Sequence, residues 1–235
     1  MALLRSKGGE MMNIQEELKA FLLEKGVADV GFFRLEEGEE ALPYGVSIVA
    51  RLSESIIDEI EDEPTHTYFN HYRNVNAFID SMLLQAGMFL QRKGYKYITV
   101  AASQSINKDG WNYMARFSHK KGACLAGLGS IGRNSLFLHN EYGSYVRLGT
   151  LFTDCPFDCD NTLAKSVCTG CDICVKACPA KAIKGGDWTP DTPREEIFDP
   201  EKCSQYMKKQ FQHIGRGSVC GICMKVCPMN KPKEG

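Results

Sequence analysis

A dense cysteine run occupies residues 168–179, which read Cys168-Thr-Gly-Cys171-Asp-Ile-Cys174-Val-Lys-Ala-Cys178-Pro179. The spacing is C-x2-C-x2-C-x3-C-P, the pattern typical of bacterial ferredoxins. In that pattern a tight loop wraps three thiolates around one iron–sulfur cubane, and the fourth cysteine points into a second cluster. The run therefore predicts a [4Fe–4S] site whose fourth ligand comes from elsewhere in the chain.

A second run supplies the remaining ligands. It consists of Cys203 and the stretch Cys220-Gly-Ile-Cys223-Met-Lys-Val-Cys227-Pro228, which repeats the C-x2-C-x3-C-P ending. Crossed ligation, as in two-cluster ferredoxins, uses each cysteine once. It assigns Cys168, Cys171, Cys174 and Cys227 to one cluster and Cys178, Cys203, Cys220 and Cys223 to the other. Zinc is the alternative for paired cysteines, but it needs neither the third cysteine nor the repeated ending.

The remaining cysteines are surplus to these two clusters. None of the eleven cysteines precedes Cys124, which differs from the even spread of a secreted disulfide scaffold. For Cys124 we predict simple packing, because unpaired cysteines behave as small hydrophobes. Cys155 and Cys159 are also interpreted as buried thiols, with a redox pair or an alternative ligand as the other possibilities.

Composition is that of an ordinary globular chain. The 235 residues are 43% hydrophobic and 24% charged, and 28 basic against 29 acidic residues give a net charge of −1. This balance gives no sign of a general affinity for nucleic acid or anionic membranes. No apolar run approaches the ~18 residues of a membrane span, and the start lacks a signal-peptide core. We therefore expect a cytoplasmic protein without a membrane partner.

Hydrophobic periodicity predicts helices and strands that alternate without regular βαβ spacing. The strongest signal is a helix over 66–93, where apolar residues recur every three or four positions. Further helices are predicted over 13–24, 53–60 and 119–126, and strands over 28–33, 46–50, 97–101, 136–139 and 146–153. The pattern favours an α+β fold.

The change in character after Thr153 predicts a domain boundary near Asp154. Beyond it cysteines and prolines dominate, and apolar residues are too few for a large core, so metal centres would hold that segment together. We expect a tail over 1–12, an α+β cofactor domain over 13–154 and a double-cluster domain over 155–235.

A glycine-rich loop precedes that boundary. Gly127-Leu-Gly129-Ser-Ile-Gly132 matches the dinucleotide-binding pattern G-x-G-x-x-G. The context does not match, because no strand leads directly into the loop and a strand rather than a helix is predicted after it. The glycines therefore indicate a close approach of the backbone to another segment or to a flat cofactor.

These segments together resemble the epoxyqueuosine reductases. The resemblance rests on Ala126-Gly-Leu-Gly-Ser-Ile-Gly-Arg-Asn-Ser135, on Leu148-Gly-Thr-Leu-Phe-Thr-Asp154 and on the two cysteine runs. It implies a nitroreductase-like α+β domain that holds base-off cobalamin, followed by a bacterial-ferredoxin-like domain with two [4Fe–4S] clusters. Reductive dehalogenases share this architecture. By resemblance, the cofactor-binding residues are Gly127, Gly129, Ser130, Gly132, Arg133 and Asn134.

The chain departs from the family pattern at residues that matter for chemistry. The family carries a proton-donating aspartate after the strand matched by 97–101, whereas Thr99-Val-Ala-Ala-Ser-Gln104 contains no acid. Ser130 replaces a tryptophan, and the full-length tRNA enzymes continue with a helical-repeat domain, whereas the sequence here stops at Gly235. A general acid must lie within hydrogen-bond reach of the reacting atom, so the catalytic group stays unassigned. Weak substitutes are Tyr68, His71, Tyr72, Asp109 and Tyr113.

The expected function is therefore an iron–sulfur oxidoreductase. Two clusters would pass low-potential electrons to a bound corrinoid, which would reduce an unidentified small molecule. An external carrier of the ferredoxin or flavodoxin type would supply the electrons. The alternatives are FMN in place of cobalamin, or an electron-transfer protein that docks a partner and has no substrate of its own. Transfer RNA is the least expected partner.

Overall fold

The computed structural model describes residues 13–37, 39–106, 113–215 and 219–230. Its helices are α1 Ile14–Glu24, α2 Glu54–Asp58, α3 His66–Arg92, α4 His119–Leu125, α5 Ile173–Ala177, α6 Arg194–Ile197, α7 Pro200–Gln210, α8 Gln212–Gly215 and α9 Ile222–Lys225. Its strands are β1 Asp29–Arg34, β2 Tyr44–Arg51, β3 Tyr97–Val100, β4 Gly129–Ile131, β5 Phe137–His139 and β6 Val146–Thr153. Within those ranges, none of the helices combines the length and apolar character that a membrane crossing needs.

Four strands form one antiparallel sheet in the order β1-β2-β6-β3. Strands β2 and β6 pair along their whole length, from Tyr44 opposite Thr153 to Arg51 opposite Val146. Every pairing in this sheet is antiparallel, so no strand pair requires the helical crossover of a βαβ unit. The pairings also differ from the parallel sheet of a dinucleotide-binding fold.

Helices cover both faces of this sheet. Neighbouring residues of a strand point to opposite faces, and Ile48 and Val49 of β2 accordingly belong to different cores. Ile48 packs with Leu18 of α1 and Ile79 of α3. Val49 packs on the other side with Ala123 of α4. The first part of the chain is therefore a three-layer arrangement with the sheet in the middle.

The long helix α3 confirms the strongest prediction from periodicity. Thr65 caps it, because the Thr65 Oγ1 accepts a hydrogen bond from the Tyr68 amide at 3.0 Å. Its apolar stripe is buried, and Ile79, Leu83 and Leu90 are each at most 1% exposed. The buried stripe determines how α3 is oriented on the sheet. It therefore also sets the positions of Tyr68 and Tyr72, which belong to the same helix.

The cysteine-rich segment packs onto the first part of the chain through a shared core. Phe211 and Ile222 lie in one hydrophobic cluster with Leu52 and Ile57. Strand β6 ends at Thr153, next to the boundary predicted at Asp154. The division into domains stays a prediction, and the shared core shows that the two segments are tightly packed against each other.

The glycine-rich loop forms a small hairpin that periodicity missed. Residues 129–131 form strand β4, which pairs with β5 through Gly129 opposite His139, whereas the sequence predicts a loop there. A Cβ placed on Gly129 would lie 2.1 Å from the Leu138 carbonyl oxygen. The strand is only three residues long and begins with a glycine, so no hydrophobic alternation could reveal it.

Replacing Gly129 with alanine is therefore expected to destabilise the protein. Overpacking of this kind costs about 1–3 kcal/mol, which corresponds to a melting temperature lower by roughly 2–12 °C for a chain of this size. Thermal unfolding of the anaerobically purified protein, followed by circular dichroism, measures the change. An unchanged melting temperature would contradict the close approach of β4 and β5.

Candidate functional site

The eight cysteines of the two motifs line two cavities. A small cavity is lined by Cys168, Cys171, Cys174 and Cys227, which we call the outer set. A large cavity of about 900 Å³ is lined by Cys178, Cys203, Cys220 and Cys223, which we call the inner set. Across the described residues, no three His, Cys, Asp or Glu side chains converge tightly enough to hold a single metal ion. The two sets are those that crossed ligation predicts, and their role as ligands stays a prediction.

The thiols of each set act on one another. Burial, together with Cys220 and Cys178, raises the pKa of Cys203 to about 12. In the outer set, burial and Cys174 raise the pKa of Cys227 to about 11. Grouped thiolates are therefore unfavourable in the metal-free chain. Metal coordination would remove that penalty and release the protons, so the chemistry of both donor sets fits iron–sulfur clusters.

The two sets adjoin at Cys174 and Cys223. Burial raises the pKa of Cys223 well above its usual range, and both the inner cysteines and Cys174 contribute. The helices that carry these residues, α5 and α9, pack against each other. Clusters held by the two sets would therefore be neighbours.

Left-handed residues shape both cysteine loops. Asp172, just before α5, has a φ of 56°, and Gly221, just before α9, has a φ of 87°. Each residue turns the chain between two cysteines of its motif, so that a short helix starts beside the cavity. Glycine is favoured at position 221, because the φ there is positive and a Cβ would lie 2.7 Å from the Ile60 Cδ1 and 3.0 Å from the Tyr68 ring.

Arg133 joins the glycine-rich hairpin to the outer set. Its Nη1 donates to the Asp172 carboxylate at 2.9 Å and to the Gly170 carbonyl at 3.3 Å. Its Nε donates to Asp187 at 3.0 Å. The Arg133 side chain also lines the small cavity. The predicted cofactor residue Arg133 thus lies at the outer cysteines rather than at the large cavity.

Of the six predicted cofactor residues, Asn134 alone is among those that line the large cavity. The Asn134 amide donates to the Cys223 carbonyl at 3.4 Å, which ties the hairpin to the inner set. Gly129 and Gly132 lie against β5 instead. The sequence left open whether the glycines approach another protein segment or a flat cofactor. For Gly129 and Gly132, the neighbour in the structure is a protein segment. Contact of Gly127 or Ser130 with a cofactor stays a prediction.

The large cavity lies between the two segments of the chain. Its wall combines aromatic side chains from both, among them Tyr68, Tyr72, Tyr113, Phe117, Trp188 and Tyr206. Ligand sites are typically apolar concavities with a few placed polar groups. The large cavity has this character, and the inner cysteines form part of its wall.

Tyr72 and Arg147 form the main polar pair of this wall. The Arg147 guanidinium lies 4.4 Å from the centre of the Tyr72 ring, and its Nη2 donates to the Tyr72 hydroxyl at 3.4 Å. The Ser103 hydroxyl lies 3.1 Å from the same oxygen. Burial opposes ionisation of Tyr72, but the Arg147 charge and these hydrogen bonds outweigh it, so the pKa of Tyr72 is lowered.

The other weakly predicted proton donors have different surroundings. Burial raises the pKa of Tyr68 well above its usual range. His71 is engaged outside the cavity wall, where its Nε2 accepts from the Ser53 amide at 3.1 Å. Tyr113 lines the large cavity, and Asp109 lies outside the described residues. Tyr72 thus differs from Tyr68 in that a neighbouring cation and hydrogen bonds lower its pKa.

The surplus cysteines are buried or half-buried thiols. Cys155 is fully buried in the core beneath α1 and α3, and Cys159 packs against the same core. Burial raises the pKa of Cys155 to about 11 and that of Cys124 to about 12. Thiols with a raised pKa are poor nucleophiles at neutral pH. This agrees with the interpretation of these cysteines as packed, unreactive side chains.

Comparison with known proteins first defines the class of the cysteine-rich segment. The family model of the 4Fe-4S double cluster binding domain matches residues 167–230. This segment contains the eight cysteines of both sets. The iron–sulfur prediction is therefore confirmed at the level of the domain.

Individual relatives confirm the resemblance to epoxyqueuosine reductases. The enzyme of Listeria monocytogenes is 33% identical over 115 residues, which are 45% of this chain and 28% of that protein. The enzyme of Cyclobacterium marinum is 34% identical over 119 residues, 46% of this chain and 36% of that protein. The matched region thus spans about a third of the length of these relatives.

Solved structures share the fold over nearly the whole chain. A catabolic reductive dehalogenase in complex with 3-bromo-4-hydroxybenzoic acid has a TM-score of 0.76 at 22% identity, covering 96% of this chain and 33% of that one. Epoxyqueuosine reductase from Bacillus subtilis has a TM-score of 0.65 at 20% identity, covering 93% and 65%. At these identities the likeness establishes a common fold.

Proposed function

We propose that this chain is an iron–sulfur oxidoreductase in which two [4Fe–4S] clusters pass low-potential electrons to a corrinoid of the cobalamin type, for reduction of a substrate not yet identified. One observation carries the proposal: the inner cysteines line the same cavity as Tyr72 and Arg147. A source of electrons and a source of protons therefore face one space of ligand size. The matched double-cluster domain and the relatives described above support the iron–sulfur part.

The exposure of the two sets suggests the direction of electron flow. Cys171 of the outer set is exposed, whereas the inner set faces the large cavity. Electrons would enter at the outer cluster, pass to the inner cluster and leave into the cavity. An external carrier of the ferredoxin or flavodoxin type is the donor that we expect to dock near Cys171.

The size and position of the large cavity fit a large cofactor. Its volume of about 900 Å³ is near the top of the ~300–1,000 Å³ range of ligand pockets. A solved structure with the same fold belongs to a protein of B12-dependent dehalogenation. When bound, a corrinoid supplies a strongly reducing cobalt centre. The chain itself supplies the aromatic wall, the nearby cysteines and the polar pair.

Tyr72 is the residue to which we assign the proton. Arg147 and Ser103 hold the Tyr72 hydroxyl in a fixed position on the cavity wall. A phenol whose pKa is lowered toward neutrality is a better general acid. This pair would take over the role of the acid that 99–104 lacks, and the substrate would be a small molecule that fits the remaining space.

A flavin such as FMN is the alternative occupant of the cavity. The missing acid also favours a second function, electron transfer to a docked partner without a substrate. Transfer RNA is the least favoured partner, because the chain has a net charge of −1 and recognition of nucleic acid relies on basic surfaces.

Anaerobic reconstitution with cobalamin tests the proposal. The expected result is a retained corrinoid with the EPR signal of base-off cob(II)alamin, which disappears when a low-potential reductant reduces the clusters. A flavin spectrum in the protein as purified would identify FMN instead. Failure to retain either cofactor would leave the electron-transfer protein as the remaining function.

A further inference from the structure

Lys120 of α4 is a cation on the wall of the large cavity that the proposed function does not use. Its Nζ donates to the Ser135 carbonyl at 2.6 Å and lies 3.3 Å from the Ser135 hydroxyl. Both acceptors are neutral. Burial and the charge of Arg194 disfavour the protonated amine and lower the pKa of Lys120 to about 8.

Cations outnumber carboxylates around this cavity. Within the described ranges its wall carries Lys120, Lys121, Arg147 and Arg194 against the single carboxylate of Glu195. Lys121 pairs with Glu39 at 2.5 Å, and Arg194 pairs with Glu195 at 2.8 Å. None of the ion pairs between described residues involves Lys120. Lys120 is half-buried, and a cation partly withdrawn from water without a counter-ion is unfavourable, so an anionic ligand would offset that cost.

Lys120 lies near residues that contact the inner cysteines, and it is not part of the Tyr72–Arg147 pair. Ser135 follows Asn134 directly, and Asn134 contacts the Cys223 carbonyl of the inner set. Arg147, by contrast, is engaged with Tyr72 and with Asn76. The two cations therefore have different hydrogen-bond partners. Lys120 lies with the residues that join the glycine-rich hairpin to the inner cysteines.

We propose that Lys120, with the Ser135 hydroxyl beside it, binds the phosphate group of the cofactor in the large cavity. This inference rests on the proposed function, and it names the chemical group by which the cofactor is held. Cobalamin carries a phosphodiester in its nucleotide loop, and FMN carries a terminal phosphate, so the same contact serves both candidate cofactors. An ammonium donating to a phosphate makes a charge-assisted hydrogen bond, which is stronger than one between neutral groups.

A comparison of cofactors with and without phosphate tests this contact. Dissociation constants of cobalamin and of cobinamide, which lacks the phosphate and nucleotide, are measured by equilibrium dialysis with the cluster-loaded protein and with Lys120→Met. Loss of one charged hydrogen bond is expected to weaken cobalamin binding roughly 10- to 100-fold. Cobinamide binding is expected to change less than about twofold. FMN and riboflavin form the second pair of probes.

Lys121→Met is the matched control. Lys121 follows Lys120 in α4 and also lines the cavity, but its charge is already paired with Glu39. We expect this variant to bind cobalamin as the wild type does, and Lys120→Arg to restore part of the affinity. Equal iron content in all variants shows that they fold and carry their clusters.

The outcomes separate this contact from the proposed function. Equal weakening of cobalamin and cobinamide by Lys120→Met, or no weakening of either, would overturn the phosphate contact and leave a corrinoid reductase intact. A wild-type protein that binds neither corrinoid but prefers FMN over riboflavin, with the preference lost in Lys120→Met, would keep the contact and overturn the corrinoid. Wild-type protein that binds none of the four probes would overturn both.

Discussion

Removing Cys178 and Cys203 together is expected to leave one intact cluster, with iron falling from about eight to about four atoms per chain. Both cysteines line the large cavity, so in the crossed arrangement the double alanine variant loses only the inner cluster. The outer set keeps all four thiols. Iron and acid-labile sulfide of the anaerobically purified protein measure the effect.

The pair Cys168→Ala and Cys178→Ala is the matched comparison. These cysteines belong to one continuous motif but line different cavities, so the crossed arrangement predicts the loss of both clusters and nearly all iron. If each motif held its own cluster, the two results would be exchanged. Cys159→Ala, which lies in neither set, is expected to keep about eight irons.

Replacing Tyr72 with phenylalanine is expected to slow substrate reduction by about 10²- to 10⁴-fold, the usual contribution of a positioned general acid. Reduction of the clusters and of the bound cofactor should be unchanged, because the hydroxyl takes part only in proton delivery. Single-turnover kinetics with the substrate that the wild-type protein reduces would separate the two steps. A loss in cofactor reduction equal to the loss in turnover would contradict this assignment.

A titration of tyrosine absorbance tests Tyr72 without any substrate. Arg147 and the hydrogen bonds to Tyr72 lower its pKa, so a phase of tyrosinate formation at lower pH than the others should vanish in Tyr72→Phe. Arg147→Gln should move that phase to higher pH, because burial then dominates. Tyr68→Phe is the control, since burial raises the pKa of Tyr68 and its removal should leave the early phase in place.

The parts of the site that are local in sequence were predictable. Ligand spacing in the cysteine runs follows from the short loops that wrap a cluster, and the two sets line separate cavities in the folded chain. The apolar stripe of α3 and the long strand β6 followed equally from periodicity. In each case one short segment carries the whole signal.

The polar wall of the large cavity was not predictable in the same way. Tyr72 and Arg147 are 75 positions apart in the sequence, and their contact depends on how α3 lies across β6. Arg147 was overlooked, although a lone arginine within the otherwise buried strand β6 is a usable signal. Lys120 was overlooked because the sequence of a short helix does not show that Lys121 pairs with a carboxylate while the adjacent Lys120 does not.

The family resemblance and the structure suggest different roles for the glycine-rich hairpin. Family likeness indicated six residues as cofactor ligands, and among them Asn134 lines the large cavity. The close approach of Gly129 to Leu138 accounts for one glycine by packing alone. Arg133 is explained by its contacts with the outer cysteine loop. A motif can therefore be shared because it builds the scaffold around a site.

Quantification of iron, cobalt and zinc after anaerobic expression and purification in cobalamin-supplemented medium tests the central claim most directly. We predict about eight irons per chain, from two cubanes, about one cobalt and an EPR spectrum that combines reduced clusters with base-off cob(II)alamin. Zinc in place of iron would contradict the clusters. Eight irons with no cobalt would contradict the corrinoid as the acceptor of their electrons.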